Sequence, residues 1–223
     1  MYLKRKIDEY LISWKNSDEK KPLIVKGARQ IGKTASIEHF AQNYEYFINI
    51  NFSLESKYKT ICSDSFDADA VIKNISRIDP SKKFVAEKTL ILFDEIQDYP
   101  EIATTLKSFC LSGKFDVICS GSMLGVNYKK IQSNSVGYKS EYSMQSLDFE
   151  EFLWAKGYGK DDIEDLLSHM KSGEPFNQTT LSVFNELFLD YCILGGMPKV
   201  VSNYIKKGTF EGSLELQHEL IND

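Results

Sequence analysis

A chain of 223 residues is long enough for one α/β domain with a smaller appendage. Because 42% of the residues are hydrophobic, the chain can bury a sizeable core, and we expect it to be folded rather than disordered. The net charge of -5 gives no global basis for nucleic-acid binding, although residues 1–60 are locally basic. The four cysteines and three histidines lack paired spacing, which argues against a zinc site, and no apolar stretch approaches the roughly 18 residues that span a membrane. We therefore expect a cytoplasmic protein with reduced cysteines and no membrane association.

The first predicted elements are a helix, a strand and a second helix. Apolar residues at helical spacing predict a helix within residues 1–20 that packs on the core: Leu3, Ile7, Leu11 and Trp14. The apolar run at 23–25 predicts a short buried strand, and apolar spacing at 37–41 predicts the next helix. The segment 27–34 between them therefore lies in a strand–loop–helix context.

Further strands and helices alternate along the rest of the chain. Strands are predicted at 46–50, 89–93, 115–119 and 138–144, and helices at 70–78, 102–111, 149–154, 163–170 and 181–194. Gly195-Gly196-Met197-Pro198 is typical of the end of one helix and the start of another. We predict an α/β fold in which helices sandwich a parallel sheet, with a core at 21–147 and a C-terminal helical appendage at 148–223.

The loop at 27–34 satisfies the phosphate-loop pattern G-x-x-x-x-G-K-[ST]. Its glycines let successive backbone N–H groups turn towards phosphate oxygens at the N-terminus of the following helix. Lys33 would neutralise the β- and γ-phosphates, and Thr34 would give its hydroxyl to Mg²⁺. A strand-to-helix turn that matches by chance is the alternative. The pattern predicts a P-loop NTPase that binds ATP and Mg²⁺ through these residues: Gly27, Ala28, Arg29, Gln30, Ile31, Gly32, Lys33 and Thr34.

A second motif supplies the acids that such a site needs. A buried apolar strand at 90–93 is followed directly by Asp94 and Glu95, at the sheet edge where ligands of α/β folds bind. Asp94 would hold Mg²⁺ directly or through water, and Glu95 would orient and deprotonate the water that attacks the γ-phosphate. The alternative for Glu95 is a solvated loop acid.

The next strand ends in small polar residues, Ser120-Gly121-Ser122. If it lies beside the Asp94 strand, the hydroxyl of Ser122 or of Ser120 could reach the γ-phosphate or the attacking water. A turn formed by Ser-Gly-Ser is the alternative.

Five motifs in order resemble a prokaryotic family of AAA-type ATP-binding proteins: Gly27 to Thr34, Asp94-Glu95-Ile96-Gln97, Ser120-Gly121-Ser122-Met123-Leu124-Gly125, Leu147-Asp148-Phe149-Glu150-Glu151-Phe152, and Gly195-Gly196-Met197-Pro198. The resemblance implies an AAA-like fold, a Walker A role for the loop, a Walker B role for Asp94 and Glu95, and a sensor-like role for Ser122. Family members usually continue into a winged-helix or nuclease-like region, so we expect that this chain is truncated.

One departure from the family pattern concerns the arginine that commonly follows Val-Gly after the sensor strand. Here Val136-Gly137 precedes Tyr138 and Lys139, and the chain contains only three arginines: Arg5, Arg29 and Arg77. Because an arginine finger is worth roughly 10³ to 10⁵ in rate, its absence predicts slow turnover. Lys139 is a weaker substitute without the planar fork. Arg29 could contact nucleotide or a neighbouring subunit, or be a solvated loop residue.

The leading hypothesis is a slow Mg²⁺-dependent ATPase that uses its nucleotide state as a conformational switch. A nucleotide-gated binding module without efficient hydrolysis is the alternative. Nucleic-acid binding is a third hypothesis that only the basic N-terminal segment supports. The sequence leaves open whether the chain forms a homo-oligomer or binds another protein. It contains no acceptor-substrate signature that would favour a kinase.

Overall fold

A five-stranded parallel sheet organises the chain in the computed structural model, which describes residues 1–122 and 137–222. The strand order is β2-β3-β4-β1-β5, and every neighbouring pair is parallel. The strands are β1 Leu23–Gly27, β2 Tyr46–Asn51, β3 Thr89–Asp94, β4 Asp116–Ser122 and β5 Ser140–Ser143. The predicted parallel sheet is confirmed.

Helices connect and follow the strands. Those before β5 are α1 Lys6–Lys15, α2 Lys33–Ala41, α3 Ala68–Ile78 and α4 Leu106–Ser112, with 3-10 turns at Ser56–Thr60, Ile96–Asp98 and Pro100–Thr105. Those after β5 are α5 Phe149–Ala155, α6 Lys160–Ser172, α7 Gln178–Leu194, α8 Pro198–Lys207 and α9 Ser213–Asn222. No helix in the described ranges has both the length and the apolar character to cross a membrane.

Several predicted element bounds differ from the structure by a few residues. The helix predicted at 102–111 is divided into the 3-10 segment Pro100–Thr105 and α4, because Pro100 opens a tight turn at its first position. The strand predicted at 138–144 is shorter, and β5 covers only Ser140–Ser143. Both differences lie at element boundaries, where local patterns carry the least information.

The residues group into two compact units. The sheet unit comprises residues 7–29 and 33–144, and the helical unit comprises residues 1–6, 30–32 and 145–223. The boundaries predicted after residues 20 and 147 stay predictions. Residues 1–6 and the loop residues 30–32, which the sequence analysis assigned elsewhere, group with the C-terminal helices.

Each unit has its own apolar core. In the sheet unit all six residues of β3 are buried, as expected for a central strand covered on both faces. In the helical unit the core joins the start of the chain to the C-terminal helices: Leu3, Leu147, Phe152, Leu153, Leu194, Val200 and Val201. The predicted helix boundary at 195–198 is confirmed, since α7 ends before Gly195, which has a positive φ of 66°, and Pro198 opens α8.

Candidate functional site

The glycine-containing loop connects the carboxyl end of β1 to the first residue of α2. Gly27 is the last strand residue and Lys33 is the first helical residue. Gln30 and Gly32 both have positive φ values, of 61° and 91°, so the chain turns sharply between them. At Gly32 this backbone conformation requires glycine, since other residues rarely adopt it. The strand–loop–helix context predicted for this segment is therefore present.

Lys33 folds its side chain back over the loop. Its ammonium group donates to the carbonyl oxygens of Gly27 at 3.1 Å and Ala28 at 2.6 Å, and the residue is only 7% exposed. Burial lowers the pKa of Lys33, and the negative charges of Glu95 and Asp94 act in the opposite direction. The loop thus holds a partly desolvated cation at the N-terminus of α2, which is an arrangement suited to an anion.

The acid Asp94 at the end of β3 is 2% exposed and accepts several hydrogen bonds. The Thr34 hydroxyl donates to Oδ2 at 2.9 Å, and the Asn51 amide donates to the same oxygen at 3.3 Å. The other oxygen, Oδ1, accepts from the Ser120 hydroxyl and from the backbone N–H of Glu95. Parallel strands place these groups together, because β2, β3 and β4 end at the same edge.

Within residues 1–122 and 137–222, the groups that donate to this carboxylate are neutral. Lys33 is near enough for its pKa to respond to Asp94, but the ion pairs of the described residues include none to that acid. A buried carboxylate without a cation is costly, so the site favours a positive ion.

The donor set fits Mg²⁺, because a carboxylate and the Thr34 hydroxyl are hard oxygen ligands. Within residues 1–122 and 137–222, no group of three or more His, Cys, Asp or Glu side chains is arranged to hold a metal. Mg²⁺ bound here would depend on Asp94 and Thr34 together with phosphate oxygens and water, which is how Mg²⁺ usually binds at nucleotide sites.

Glu95 has an unusual backbone conformation directly after the strand. Its φ and ψ are 55° and 48°, the left-handed region, which costs a non-glycine residue about 1–3 kcal/mol. Its carboxylate accepts a hydrogen bond from the Gln97 side-chain N–H. The side-chain oxygen of Gln97, Oε1, accepts from the backbone N–H of Ser122 at 3.3 Å. Gln97 therefore connects Glu95 to the end of β4.

Not every predicted residue reaches the same group. Ser120 contacts Asp94 through its hydroxyl, whereas Ser122 joins the site through its backbone N–H. The sequence analysis missed Asn51 and named Gln97 only as part of a motif, without a role. The sequence did contain a signal for Asn51, because this polar residue directly follows the strand predicted at 46–50. In the structure it lies opposite Asp94 in the parallel register.

The residues considered in connection with the missing arginine finger make different contacts. Lys139 forms an ion pair with Glu141 at 3.0 Å, so its ammonium is already engaged. Tyr138 receives the Lys107 ammonium over its ring, and Arg29 is exposed on the loop. The motif residues Met123, Leu124 and Gly125, as well as Val136, lie outside the described residues.

A family model and one solved structure agree with this fold. A family model described as an AAA domain matches residues 19–153, which is more than half of the chain. Among solved structures, the Walker-type ATPase paby2304 of Pyrococcus abyssi is similar, with a TM-score of 0.55 and 15% identity over 99% of this chain and 72% of that one. C. elegans PCH-2 matches with a TM-score of 0.40 and 13% identity over 78% of this chain and 49% of that one. No curated protein matches.

Proposed function

This chain belongs to the AAA domain family, and we propose that it binds ATP with Mg²⁺ at residues 27–34 and hydrolyses the nucleotide slowly. The observation that carries the proposal is the hydrogen bond between Thr34 and the buried Asp94. It joins the phosphate-loop sequence to an acid whose direct partners, in the part of the chain that the structure describes, are neutral. ATP and Mg²⁺ together supply the anion that suits Lys33 and the cation that suits Asp94.

Each residue has a distinct role in the proposed reaction. Backbone N–H groups of the loop and the Lys33 ammonium bind the β- and γ-phosphates, after the ammonium leaves the carbonyl oxygens that it now contacts. Thr34 and Asp94 hold Mg²⁺, which neutralises phosphate charge when it is bound. Glu95 orients the attacking water and accepts its proton. Ser122 lies next to the Gln97 link at the end of β4 and acts as the sensor-like residue.

Slow turnover follows from the arginine content of the sequence. Arg5 precedes α1, Arg77 lies in α3 and Arg29 is in the loop, while Lys139 is paired with Glu141. A chain without an arginine at the transferring phosphate lacks a contribution of about 10³ to 10⁵ in rate. We infer that the nucleotide state acts as a conformational switch, in a cytoplasmic protein that works with a homo-oligomeric or other protein partner.

One observation favours the alternative, a nucleotide-gated module without efficient hydrolysis. The Glu95 carboxylate is held by Gln97, and a general base must be free to reach water. Under this alternative the nucleotide binds, but Glu95 stays on Gln97. Turnover then rises when Gln97 is replaced by Met, which has a similar length and no donor N–H. Under the leading proposal, the same change leaves turnover equal or lower.

Phosphate release measured with purified protein tests the proposal. We expect Glu95→Gln to lower turnover by about 10²- to 10⁴-fold while MgATP binding is retained, because the general base alone is lost. Lys33→Ala is expected to weaken binding itself. Glu101→Gln is the matched control, since it makes the same change at an exposed acid shortly after the site. Phosphate release that persists undiminished in Glu95→Gln and Lys33→Ala would exclude hydrolysis at this site.

A further inference from the structure

Arg5 is buried although it precedes the first helix of the chain. The residue is 4% exposed. One guanidinium nitrogen, Nη1, donates to the carbonyl oxygen of Ile31 at 2.8 Å, and Nη2 donates to the carbonyl oxygen of Gln145 at 2.7 Å. Its Nε lies 3.1 Å from the Glu151 carboxylate. One side chain thus contacts Ile31, Gln145 and Glu151, all in the helical unit, and Ile31 lies in the middle of the phosphate-loop sequence.

Glu151 completes this arrangement from α5. It is also 4% exposed, and its carboxylate accepts from the backbone N–H of Lys6 at 2.7 Å and of Asp148 at 3.2 Å. The Asp148 side chain in turn accepts from the Glu151 N–H, which forms a capping box at the start of α5. The Arg5 charge is therefore neutralised, and the Glu151 carboxylate is fixed by the helix that carries it.

The contact with Ile31 has a direct consequence for the loop. In a trans peptide the carbonyl group and the following N–H point in opposite directions. A guanidinium that holds the Ile31 carbonyl therefore turns the N–H of Gly32 away from Arg5. Gly32 also lies close to both groups, because a Cβ added there would be in ordinary van der Waals contact with a Pro198 side-chain carbon at 3.4 Å and with the Arg5 guanidinium at 3.6 Å.

We propose that Arg5, held by Glu151, is a positioning residue of the nucleotide site that orients the Gly32 N–H towards phosphate. The inference rests on the proposed function. It makes the Arg5 and Glu151 side chains part of the machinery that shapes the loop. Because coupling between binding events is reciprocal, MgATP bound at the loop also strengthens the contact of Arg5 with the Ile31 carbonyl oxygen.

The test compares variants that separate loop orientation from folding. The double variant Arg5→Met with Glu151→Met replaces the buried ion pair by an apolar pair, a change that buried pairs often tolerate, but it leaves the Ile31 carbonyl without its donor. Arg5→Lys is the second variant, since it keeps the charge next to Glu151 and loses the planar fork. Lys6→Met is the matched control, because its exposed side chain pairs with Asp148 and Glu150 on the same helix.

Two measurements follow for the full chain. Hydrogen–deuterium exchange of residues 27–34 without nucleotide is expected to be faster in both Arg5 variants, and MgATP affinity is expected to fall about tenfold, the value of one charge-assisted hydrogen bond. Lys6→Met is expected to match wild type in both. The proposal would be overturned if a folded Arg5 variant had the same hydrogen–deuterium exchange rate at residues 27–34, or the same MgATP affinity, as Lys6→Met. If wild-type protein bound no MgATP, the proposed function would be contradicted. The exchange rates of residues 27–34 would still show whether Arg5 holds the loop.

Discussion

Each of the two units contains a buried carboxylate, and the partners of the two carboxylates differ. Glu151 in the helical unit has Arg5 beside it, so its charge is compensated inside the protein. Asp94 in the sheet unit is equally buried, yet the groups that donate to it directly are hydroxyls and N–H groups. A compensated pair is complete as it stands, whereas an acid with neutral partners still favours a cation. The difference distinguishes a complete ion pair from the acid that we propose binds Mg²⁺.

The largest expected effect comes from breaking the compensated pair. Removal of one partner, in Glu151→Met, leaves the Arg5 charge buried and is expected to lower the free energy of unfolding by about 3–5 kcal/mol. Denaturant titration followed by circular dichroism measures this loss. The Arg5→Met, Glu151→Met double variant serves as the control and is expected to recover most of it. A single variant as stable as wild type would show that the pair is not compensating a buried charge.

The next effect concerns the acid with neutral partners. MgATP at a hundredfold excess over its dissociation constant is expected to stabilise the wild-type protein by about 2.7 kcal/mol, since it binds the folded state only. Asp94→Asn, which cannot supply the charge that Mg²⁺ needs, is expected to lose most of this gain at the same concentrations. Thermal unfolding with and without MgATP gives both values. Equal gains in the two proteins would remove Asp94 from the metal site.

A smaller effect is expected from pH through Lys33. Burial lowers its pKa below the ordinary 10.5, so the folded protein loses this charge before the unfolded chain does. Phosphate binding needs the ammonium, and ATP affinity should therefore fall with rising pH above the lowered pKa, by up to about tenfold per pH unit. In the same window the unfolded chain holds more protons, so protein stability without nucleotide should rise with pH. Calorimetric titrations across alkaline pH check the first trend, and a Lys33→Arg variant, which stays charged, should not show it.

The smallest effect is expected at an exposed ion pair next to the buried one. Lys6 pairs with Asp148 and Glu150 at the surface of α5, where solvent screens the charges. Lys6→Met should change the free energy of unfolding by less than about 1 kcal/mol. Denaturant titration beside Glu151→Met makes the contrast direct. A loss as large as that of Glu151→Met would mean that burial does not distinguish the two pairs.

Local patterns in the sequence predicted the parts of the site that residues close together in the sequence form. The turn from β1 into α2 and the acids after β3 are short-range features, and the parallel sheet brings the ends of those strands together. Thr34 and Asp94 were assigned to one metal, and they are in contact. Boundaries were less accurate, as the division of the predicted helix at 102–111 shows.

Residues that act across the chain could not be predicted in this way. Arg5 and Glu151 are separated by most of the protein, and no local pattern shows that a basic residue near the N-terminus is buried against the loop. Gln97 was noticed only as part of a motif, because its link from Glu95 to the end of β4 depends on the strand register. Such contacts become visible only when the fold has brought distant segments together.

The most direct test of the central claim is a binding cycle for ATP with Mg²⁺ and with EDTA, in wild type and Asp94→Asn, measured by isothermal titration calorimetry. We expect Mg²⁺ to strengthen ATP binding to wild type by about tenfold or more, the value of a charge-assisted contact, and we expect Asp94→Asn to abolish this gain while metal-free affinity changes little. A Mg²⁺ effect of the same size in both proteins would contradict the assignment of Asp94 to the metal site.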